Sequence, residues 1–241
     1  KDFSGYDVVF HVAGIAHVKE NKKNADLYYE INRDLAYEVA QKAKKCGIRQ
    51  FIFLSSMSVY GLVNGVINRS TIPNPTSNYG KSKLQAEKLI EGLADDNFIV
   101  VILRPPMVYG KDCKGNYTRL AKLAVATPIF PKVDNKRSMI YIDNLCEFIR
   151  QLIEKEAYGL FFPQNKEYVN TSDMVMSIAE AHGKKIVMTK LFNPLLKLLK
   201  LNLVNKVFGD LVYELNISEF ERDYRVCSFK SSIKRTERKR V

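Results

Sequence analysis

Residues 51–56 read FIFLSS, an apolar run of four followed by two serines. Two runs of the same kind lie before and after it, VVFHV at residues 8–12 and IVVIL at residues 99–103. Continuous apolar runs of this length, rich in β-branched and aromatic residues, are typical of strands in a parallel sheet that is covered on both faces. The sequence therefore predicts three buried parallel strands.

Helical patterns occupy the two intervals between these runs. From about Asp26 to Cys46 apolar residues recur every four positions, and Gly47 provides a stop. A second helix is predicted to begin near Tyr79, because the apolar residues from there to Leu93 form a stripe on one face. Strands and helices thus alternate, and we predict an α/β fold with a Rossmann-like, doubly wound parallel sheet.

The sequence has 12 glycines, but they form no Gly-rich strand-to-helix turn of the kind that cradles a dinucleotide pyrophosphate. A core strand is also reached as early as Val8. We therefore expect an N-terminally truncated sheet, with roughly two β-α units preceding this segment, given a typical βαβ unit of about 30 residues. Residues 1–110 are expected to be the remainder of a dinucleotide-binding Rossmann domain that carries the catalytic residues. Residues 111–241 are expected to form mainly a smaller C-terminal substrate-binding lobe, with some segments returning to the sheet.

Composition narrows the class of protein. The net charge of +12 is compatible with an anionic partner, whether nucleic acid, a membrane surface or a phosphorylated small molecule. The four cysteines are far apart and suggest neither a disulfide framework nor a zinc site, so we expect a reducing, cytoplasmic location and no metal. No apolar run approaches the roughly 20 residues of a membrane helix. The basic end, Lys230 to Arg240, is expected to be a solvated tail.

The segment from Leu191 to Leu215 is apolar with interspersed lysines. Such a segment is compatible with an interfacial membrane helix. We favour a lid or core helix of the small lobe, broken into two pieces at Pro194 and Gly209.

Three side chains at the ends of these elements suggest alcohol–ketone chemistry. Tyr79 and Lys83 are four residues apart at the start of a helix, so both project from one face. A phenol is a poor base at neutral pH, and a nearby ammonium can stabilise its phenolate, which together would give a usable acid or base. Ser56, at the end of the preceding strand, could donate a hydrogen bond to a substrate oxygen.

The Tyr-x-x-x-Lys spacing is weak evidence by itself, because a lysine-rich chain with 13 tyrosines should contain about one such pair by accident. A surface tyrosine with a lysine one turn away is the simpler interpretation of the isolated motif. The ordered set is more specific: a serine pair ends one strand, the Tyr/Lys pair opens the next helix, and Arg104-Pro105 follows the next strand. Open α/β sheets place their ligands at these strand ends.

From Asp7 to about Leu152 the sequence resembles the extended short-chain dehydrogenases/reductases, the superfamily of UDP-galactose 4-epimerase and of nucleotide-sugar dehydratases and reductases. Residues 7–13 are similar to the Asp-x-Val-x-His-x-Ala strand of that family. Ser56 lies three residues before a Val-Tyr-Gly and matches the catalytic serine or threonine, while Tyr79 and Lys83 match the catalytic pair. The resemblance is greatest to enzymes of UDP-N-acetylhexosamine-type sugars.

The resemblance implies an NAD cofactor, with NADP as the alternative, and a UDP-linked sugar as substrate, without nucleic acid or stable membrane insertion. A homodimer is a family expectation. The residues that the resemblance assigns to the cofactor are Ala13, Asn32, Ser55, Tyr79, Lys83, Pro105 and Pro106. Those that it assigns to the substrate are Met107, Asn116 and Arg137, the last because a guanidinium can donate to two diphosphate oxygens at once.

Two departures limit the activity. Met107 stands where many family members have an asparagine that touches the substrate. Met57 and Ser58 replace the Asp-Glu pair of the 4,6-dehydratases, so dehydration is not expected. We therefore expect an NAD(P)-dependent nucleotide-sugar 4-epimerase or 4-keto reductase. The alternative is a non-catalytic Rossmann-scaffold module that uses its positive charge to recruit an anionic partner.

Overall fold

A computed structural model describes residues 2–16, 18, 20–21, 24–191, 193–194 and 207–238. The chain divides into two compact units. The first comprises Lys1–Leu62, Ser70–Pro106 and Phe148–Pro163. The second comprises Val63–Arg69, Met107–Glu147 and Gln164–Val241.

The first unit contains a four-stranded parallel sheet in the order β1-β2-β4-β8. Its strands are β1 (Val8–His11), β2 (Gln50–Leu54), β4 (Ile99–Leu103) and β8 (Gly159–Phe161). The three predicted strands are therefore confirmed. The parallel register places residues 11, 53 and 102 side by side, so β1, β2 and β4 reach the same carboxyl edge.

Three α-helices lie in the described part of the first unit up to residue 106. The first predicted helix is one continuous helical stretch, α1 (Ala25–Tyr29) and α2 (Leu35–Lys45), joined by a π-helical turn over Glu30–Asp34. The second is α3 (Asn78–Glu91), whose first turn is capped by the side chain of Ser77. Apolar faces of α2 and α3 pack on the sheet and form one core with β2 and β4.

Three parallel strand pairs lie in the described residues of the second unit. They are β3 (Gly65–Ile67) with β10 (Leu211–Tyr213), β5 (Met107–Tyr109) with β7 (Met139–Tyr141), and β6 (Ile129–Pro131) with β9 (Val187–Thr189). Its helices include α4 (Asn116–Ala126), α6 (Thr171–Ala181) and α7 (Phe229–Glu237), and α5 (Ile142–Glu154) contributes to both units. Asn170 caps α6 by accepting hydrogen bonds from Ser172 N and Asp173 N.

The basic end of the chain differs in part from expectation. Lys230, Lys234 and Arg235 are exposed as predicted. They lie, however, on helix α7, which buries Ser232, Ile233 and Thr236 on its other face. The number of basic residues in this segment does not reveal its packed face, because the buried residues are few and two of them are polar.

The segment from Leu191 to Leu215, which we predicted to be a lid or core helix, lies largely outside the described residues. Among the described helices, none has the length and apolar character that crossing a bilayer requires.

Candidate active site

Ser56 and Tyr79, the first two residues of the predicted trio, are in contact. Ser56 follows β2 in extended conformation and begins a 3₁₀ turn, where its Oγ accepts a hydrogen bond from Ser58 N at 3.1 Å. Tyr79 lies in the first turn of α3 and forms a side-chain hydrogen bond with Ser56. A hydroxyl and a phenol therefore meet at the carboxyl edge of the sheet, where a substrate oxygen could be bound by both.

Gly80, which follows Tyr79, allows the two segments to come this close. A Cβ built on Gly80 would lie 2.6 Å from the Ser58 carbonyl oxygen and 2.9 Å from Pro75 Cβ. Real Cβ atoms do not approach backbone so closely, so any side chain here would push α3 away from the serine segment. Gly80 was not predicted to matter for the site, although it lies within the Tyr-x-x-x-Lys motif.

Lys83, the third member, lies on the buried face of α3. Its Nζ donates a hydrogen bond to the Leu54 carbonyl oxygen at 2.8 Å and lies 4.6 Å from the centre of the Phe53 ring. The ammonium is thus held over the end of β2, one helical turn from Tyr79.

Burial favours the neutral form of both the Tyr79 and the Lys83 side chain. Burial raises the pKa of Tyr79 above its usual value, and the hydrogen bond with Ser56 opposes that shift. Burial lowers the pKa of Lys83 to about 8, while the Glu87 carboxylate opposes that shift. Two titratable groups with perturbed pKa values at one strand edge are typical of a functional site.

Asn32 lies in the π-helical turn and is fully buried. Its amide clamps the loop that follows β1: Oδ1 accepts from Ile15 N at 2.8 Å, and Nδ2 donates to Ile15 O at 3.0 Å. Nδ2 also donates to Ser82 Oγ, one residue before Lys83. Asn32 therefore fixes the backbone of the loop that follows β1.

The loop itself passes close to Lys83. A Cβ built on Gly14 would lie 2.8 Å from Asn32 Oδ1 and 3.3 Å from Lys83 Nζ. Its neighbour Ala13, assigned to the cofactor, is exposed. Gly14 was not predicted from the sequence, and its lack of a side chain lets the Asn32 amide and the Lys83 ammonium lie close to the loop backbone.

A buried ion pair supports the same edge and was not predicted. Arg104 donates from Nε to Glu87 Oε1 at 3.0 Å and from Nη2 to Glu87 Oε2 at 2.6 Å, and both side chains are at most 8% exposed. Ser55 Oγ also donates to Glu87 Oε1, and Arg104 Nη1 donates to Tyr60 OH at 2.8 Å. Ser55, assigned to the cofactor, is thus turned toward this carboxylate. The sequence offered one indication of this pair, since Glu87 is an acidic residue on the apolar face of α3, four positions after Lys83.

Pro105 and Pro106 are both buried directly after β4. The Pro105 carbonyl oxygen accepts a hydrogen bond from Met57 N at 2.9 Å, so the chain after β4 lies beside the segment that carries Ser56.

His11, at the end of β1, is 5% exposed and lies between Phe51 and Phe53, with both ring centroids at 6.0 Å. Burial lowers its pKa to about 4, and the Lys83 charge acts in the same direction. Its Nε2 has no hydrogen-bond partner among the described residues. His11 is therefore a neutral core residue behind Lys83. His17 lies outside the described residues.

The three residues assigned to the substrate lie in the second unit. Met107 begins β5 and is paired with Met139, and Asn116 is the first residue of α4. Arg137 is half-buried, donates to the Gly209 carbonyl oxygen at 2.9 Å, and has a pKa lowered by burial. Their roles at a substrate remain predictions.

A family model described as the NAD dependent epimerase/dehydratase family matches residues 1–161. The chain belongs to that family. The match covers the whole edge at which Ser56, Tyr79 and Lys83 lie, and it confirms the family predicted from these residues.

Curated relatives within the NAD dependent epimerase/dehydratase family include two bacterial epimerases. A UDP-glucose 4-epimerase of Vibrio cholerae is 36% identical over 188 residues, which are 73% of this chain and 57% of the relative. An N-acetyl-alpha-D-glucosaminyl-diphospho-ditrans,octacis-undecaprenol 4-epimerase of Escherichia coli O157:H7 is 30% identical over 80% of this chain and 60% of its own length. The chain therefore spans less than two thirds of either relative.

A solved structure supports the fold. The UDP-glucuronic acid 4-epimerase of Bacillus cereus, in complex with UDP-glucuronic acid and NAD, matches 96% of this chain and 74% of its own with a TM-score of 0.75 at 23% identity. The predicted Rossmann-like α/β class is confirmed.

Proposed function

We propose that this chain carries the catalytic residues of a nucleotide-sugar 4-epimerase or 4-keto reductase that acts on a UDP-linked sugar with NAD or NADP. The observation that carries the proposal is the placement of Ser56, Tyr79 and the Lys83 ammonium at one carboxyl edge of the sheet, with Tyr79 and Lys83 one turn apart on the same helix. Family membership and the similarity to two 4-epimerases support the same class of chemistry.

Tyr79 is the proposed acid and base. In the oxidising direction its phenolate takes the proton of the sugar hydroxyl, and in the reducing direction its phenol returns a proton to the ketone oxygen. Burial disfavours the phenolate, so a positive charge nearby is needed to lower its energy. Lys83 is assigned that role, and Ser56 is assigned to orient the reacting oxygen beside the phenol.

Lys83 and the backbone at Gly14 are assigned to hold a nicotinamide cofactor. An ammonium has three N–H donors. One of those of Lys83 goes to the Leu54 carbonyl oxygen, and the others are assigned to ribose hydroxyls of the cofactor. The absence of a side chain at Gly14 lets the backbone approach a bound ring system closely. A bound nicotinamide supplies the hydride acceptor and donor, which no side chain can supply.

The remaining assignments follow from the resemblance. Ala13, Asn32, Ser55, Pro105 and Pro106 are proposed to border the cofactor, with Asn32 acting through the Ile15 backbone. Met107, Asn116 and Arg137 are proposed to border the UDP-sugar. An epimerase and a reductase need the same proton transfer at Tyr79, so the residues of this site serve either outcome.

The test is turnover of UDP-glucose and UDP-N-acetylglucosamine by the full-length protein with NAD, and of the corresponding 4-keto sugars with NADH and NADPH. An epimerase interconverts the sugars without net change in the cofactor, whereas a reductase consumes reduced cofactor in proportion to product. The Tyr79→Phe variant lacks the proposed base. Its kcat should be at least about a hundredfold lower than that of the wild type, since general acid-base catalysis contributes roughly that much.

Tyr158→Phe is the matched control, because Tyr158 is 80% exposed in the same unit. It should keep the wild-type kcat. Equal activity of the Tyr79→Phe variant and the wild type would reject the assigned base.

A further inference from the structure

The loop between β1 and α1 is tied to the start of α3, the helix that carries Tyr79. One of the contacts is made by the carboxylate of Glu20, which precedes Asn78 by 58 residues in the sequence. Glu20 Oε2 accepts a hydrogen bond from Asn78 N at 3.0 Å, and Oε1 accepts one from Tyr79 N at 3.1 Å. Both oxygens of one side chain thus bind the first two backbone donors of α3.

These two donors have no partner within the helix. The first four N–H groups of an α-helix need acceptors from outside it, and a carboxylate at this end also interacts favourably with the helix dipole. Ser77 Oγ accepts the N–H of Gly80 at 3.1 Å, which leaves Asn78 and Tyr79 to Glu20. The Tyr79 backbone is therefore held by a residue of a different segment, not by its own cap.

A tyrosine from α1 strengthens the same tie. Tyr28 is 1% exposed and donates from its hydroxyl to the Val18 carbonyl oxygen at 2.8 Å. Its ring packs edge-on against the Tyr79 ring, with centroids 6.5 Å apart. Tyr79 is thus contacted at its backbone by Glu20 of the loop and at its ring by Tyr28 of α1, which itself bonds the loop at Val18.

We propose that Glu20 is a positioning residue for the Tyr79 phenol. This inference rests on the proposed function. By fixing the first turn of α3, the carboxylate sets where the phenol lies relative to Ser56 and to the loop with Gly14. Since a misplacement of a reacting group by about 1 Å can cost roughly a hundredfold in rate, loss of this tie should reach the chemistry.

Glu20→Ala removes both acceptors, and we expect kcat to fall about tenfold with the KM for the UDP-sugar unchanged within about twofold. Glu20→Gln keeps one acceptor oxygen and should retain an intermediate kcat, which provides a folded variant of nearly identical shape. Glu38→Gln is the matched control, because Glu38 is exposed on α2 and its loss changes the net charge equally.

A double-mutant cycle with Tyr79→Phe separates positioning from a general loss of structure. The readout is the single-turnover rate of cofactor reduction by UDP-glucose or UDP-N-acetylglucosamine, whichever is turned over. If Glu20 acts through the phenol, Glu20→Ala should lower this rate in the wild-type background and leave it unchanged in the Tyr79→Phe background.

An equal loss in both backgrounds would overturn the inference, because the residue would then serve only stability. Undiminished activity of both Glu20 variants beside an impaired Tyr79→Phe would overturn the inference alone. Full activity of Tyr79→Phe would reject the proposed function, and the inference with it.

Discussion

Arg104 and Glu87 form a bidentate ion pair at 2.6 and 3.0 Å beneath the edge that carries Ser56, with side chains 8% and 1% exposed. The pair joins the end of β4 to helix α3, one turn after Lys83. Its charges interact away from water, and each depends on the other for compensation.

Glu87→Gln should therefore destabilise the protein strongly. It leaves the buried guanidinium of Arg104 without its counter-charge, and breaking a buried pair in this way costs about 3 kcal/mol or more of the free energy of unfolding. Urea denaturation followed by circular dichroism measures the change. Glu38→Gln, at an exposed position of α2, should change it by less than about 0.5 kcal/mol. Equal midpoints for the two variants would contradict the prediction.

The alkaline limb of activity should report the proton of Lys83. With a pKa of about 8, Lys83 is an ammonium below that pH and loses its charge as the pH rises through it. The support it gives to the Tyr79 phenolate is then lost, so kcat should fall above about pH 8. Lys83→Arg keeps its charge at any accessible pH and should move this limb upward even if its kcat is lower.

The control for this measurement is Lys81→Arg, the same substitution at an exposed position of α3. It should leave the limb near pH 8. A limb that stays in place in Lys83→Arg would show that another group titrates there.

Gly14→Ala should weaken binding of the cofactor. The new Cβ would lie 2.8 Å from Asn32 Oδ1 and 3.3 Å from Lys83 Nζ, so one of these groups has to move. We expect the Kd for NADH, measured by fluorescence titration, to rise roughly tenfold or more, which corresponds to about 1.4 kcal/mol.

Gly92→Ala is the corresponding control. A Cβ at the end of α3 meets the nearest carbonyl oxygen at 3.5 Å, an ordinary contact, and the φ of Gly92 is −65°. This variant should keep the wild-type Kd. If both variants bound NADH like the wild type, the space at Gly14 would have no part in cofactor binding.

Tyr117→Phe should loosen helix α7. The buried Tyr117 hydroxyl donates to Glu237 Oε1 at 2.6 Å, and His182 Nε2 bonds the other oxygen at 2.7 Å. A hydrogen bond to a charged acceptor contributes about 2 kcal/mol, so amide exchange within residues 229–237 should accelerate roughly thirtyfold. Tyr158→Phe should leave it unchanged, and equal exchange in both variants would contradict the assigned anchor.

The elements of the first unit were predictable because their signals are local and periodic. The strands at Val8, Phe51 and Ile99 are continuous apolar runs, and parallel pairing brings their ends to one edge. The contact of Ser56 with Tyr79 follows from that topology, since each stands where an element begins or ends at this edge.

The parts that escaped prediction depend on pairings between distant positions. Glu20 meets the α3 amides from a loop with no periodicity, and Asn32 contacts Ile15 through a π-helical turn that the four-residue apolar spacing does not reveal. Arg104 and Glu87 are charged residues within apolar patterns, and only the fold shows that each compensates the other. Likewise, the buried face of α7 is not evident from a sequence in which lysine and arginine are interspersed with polar residues.

The close approach of Gly80 to the Ser58 carbonyl oxygen also affects how such a site can evolve. Contact between backbone atoms sets the distance between Ser56 and Tyr79. Substitution of nearby side chains therefore leaves that distance unchanged. Residues around this edge can therefore diverge in sequence while Ser56 and Tyr79 keep their spacing.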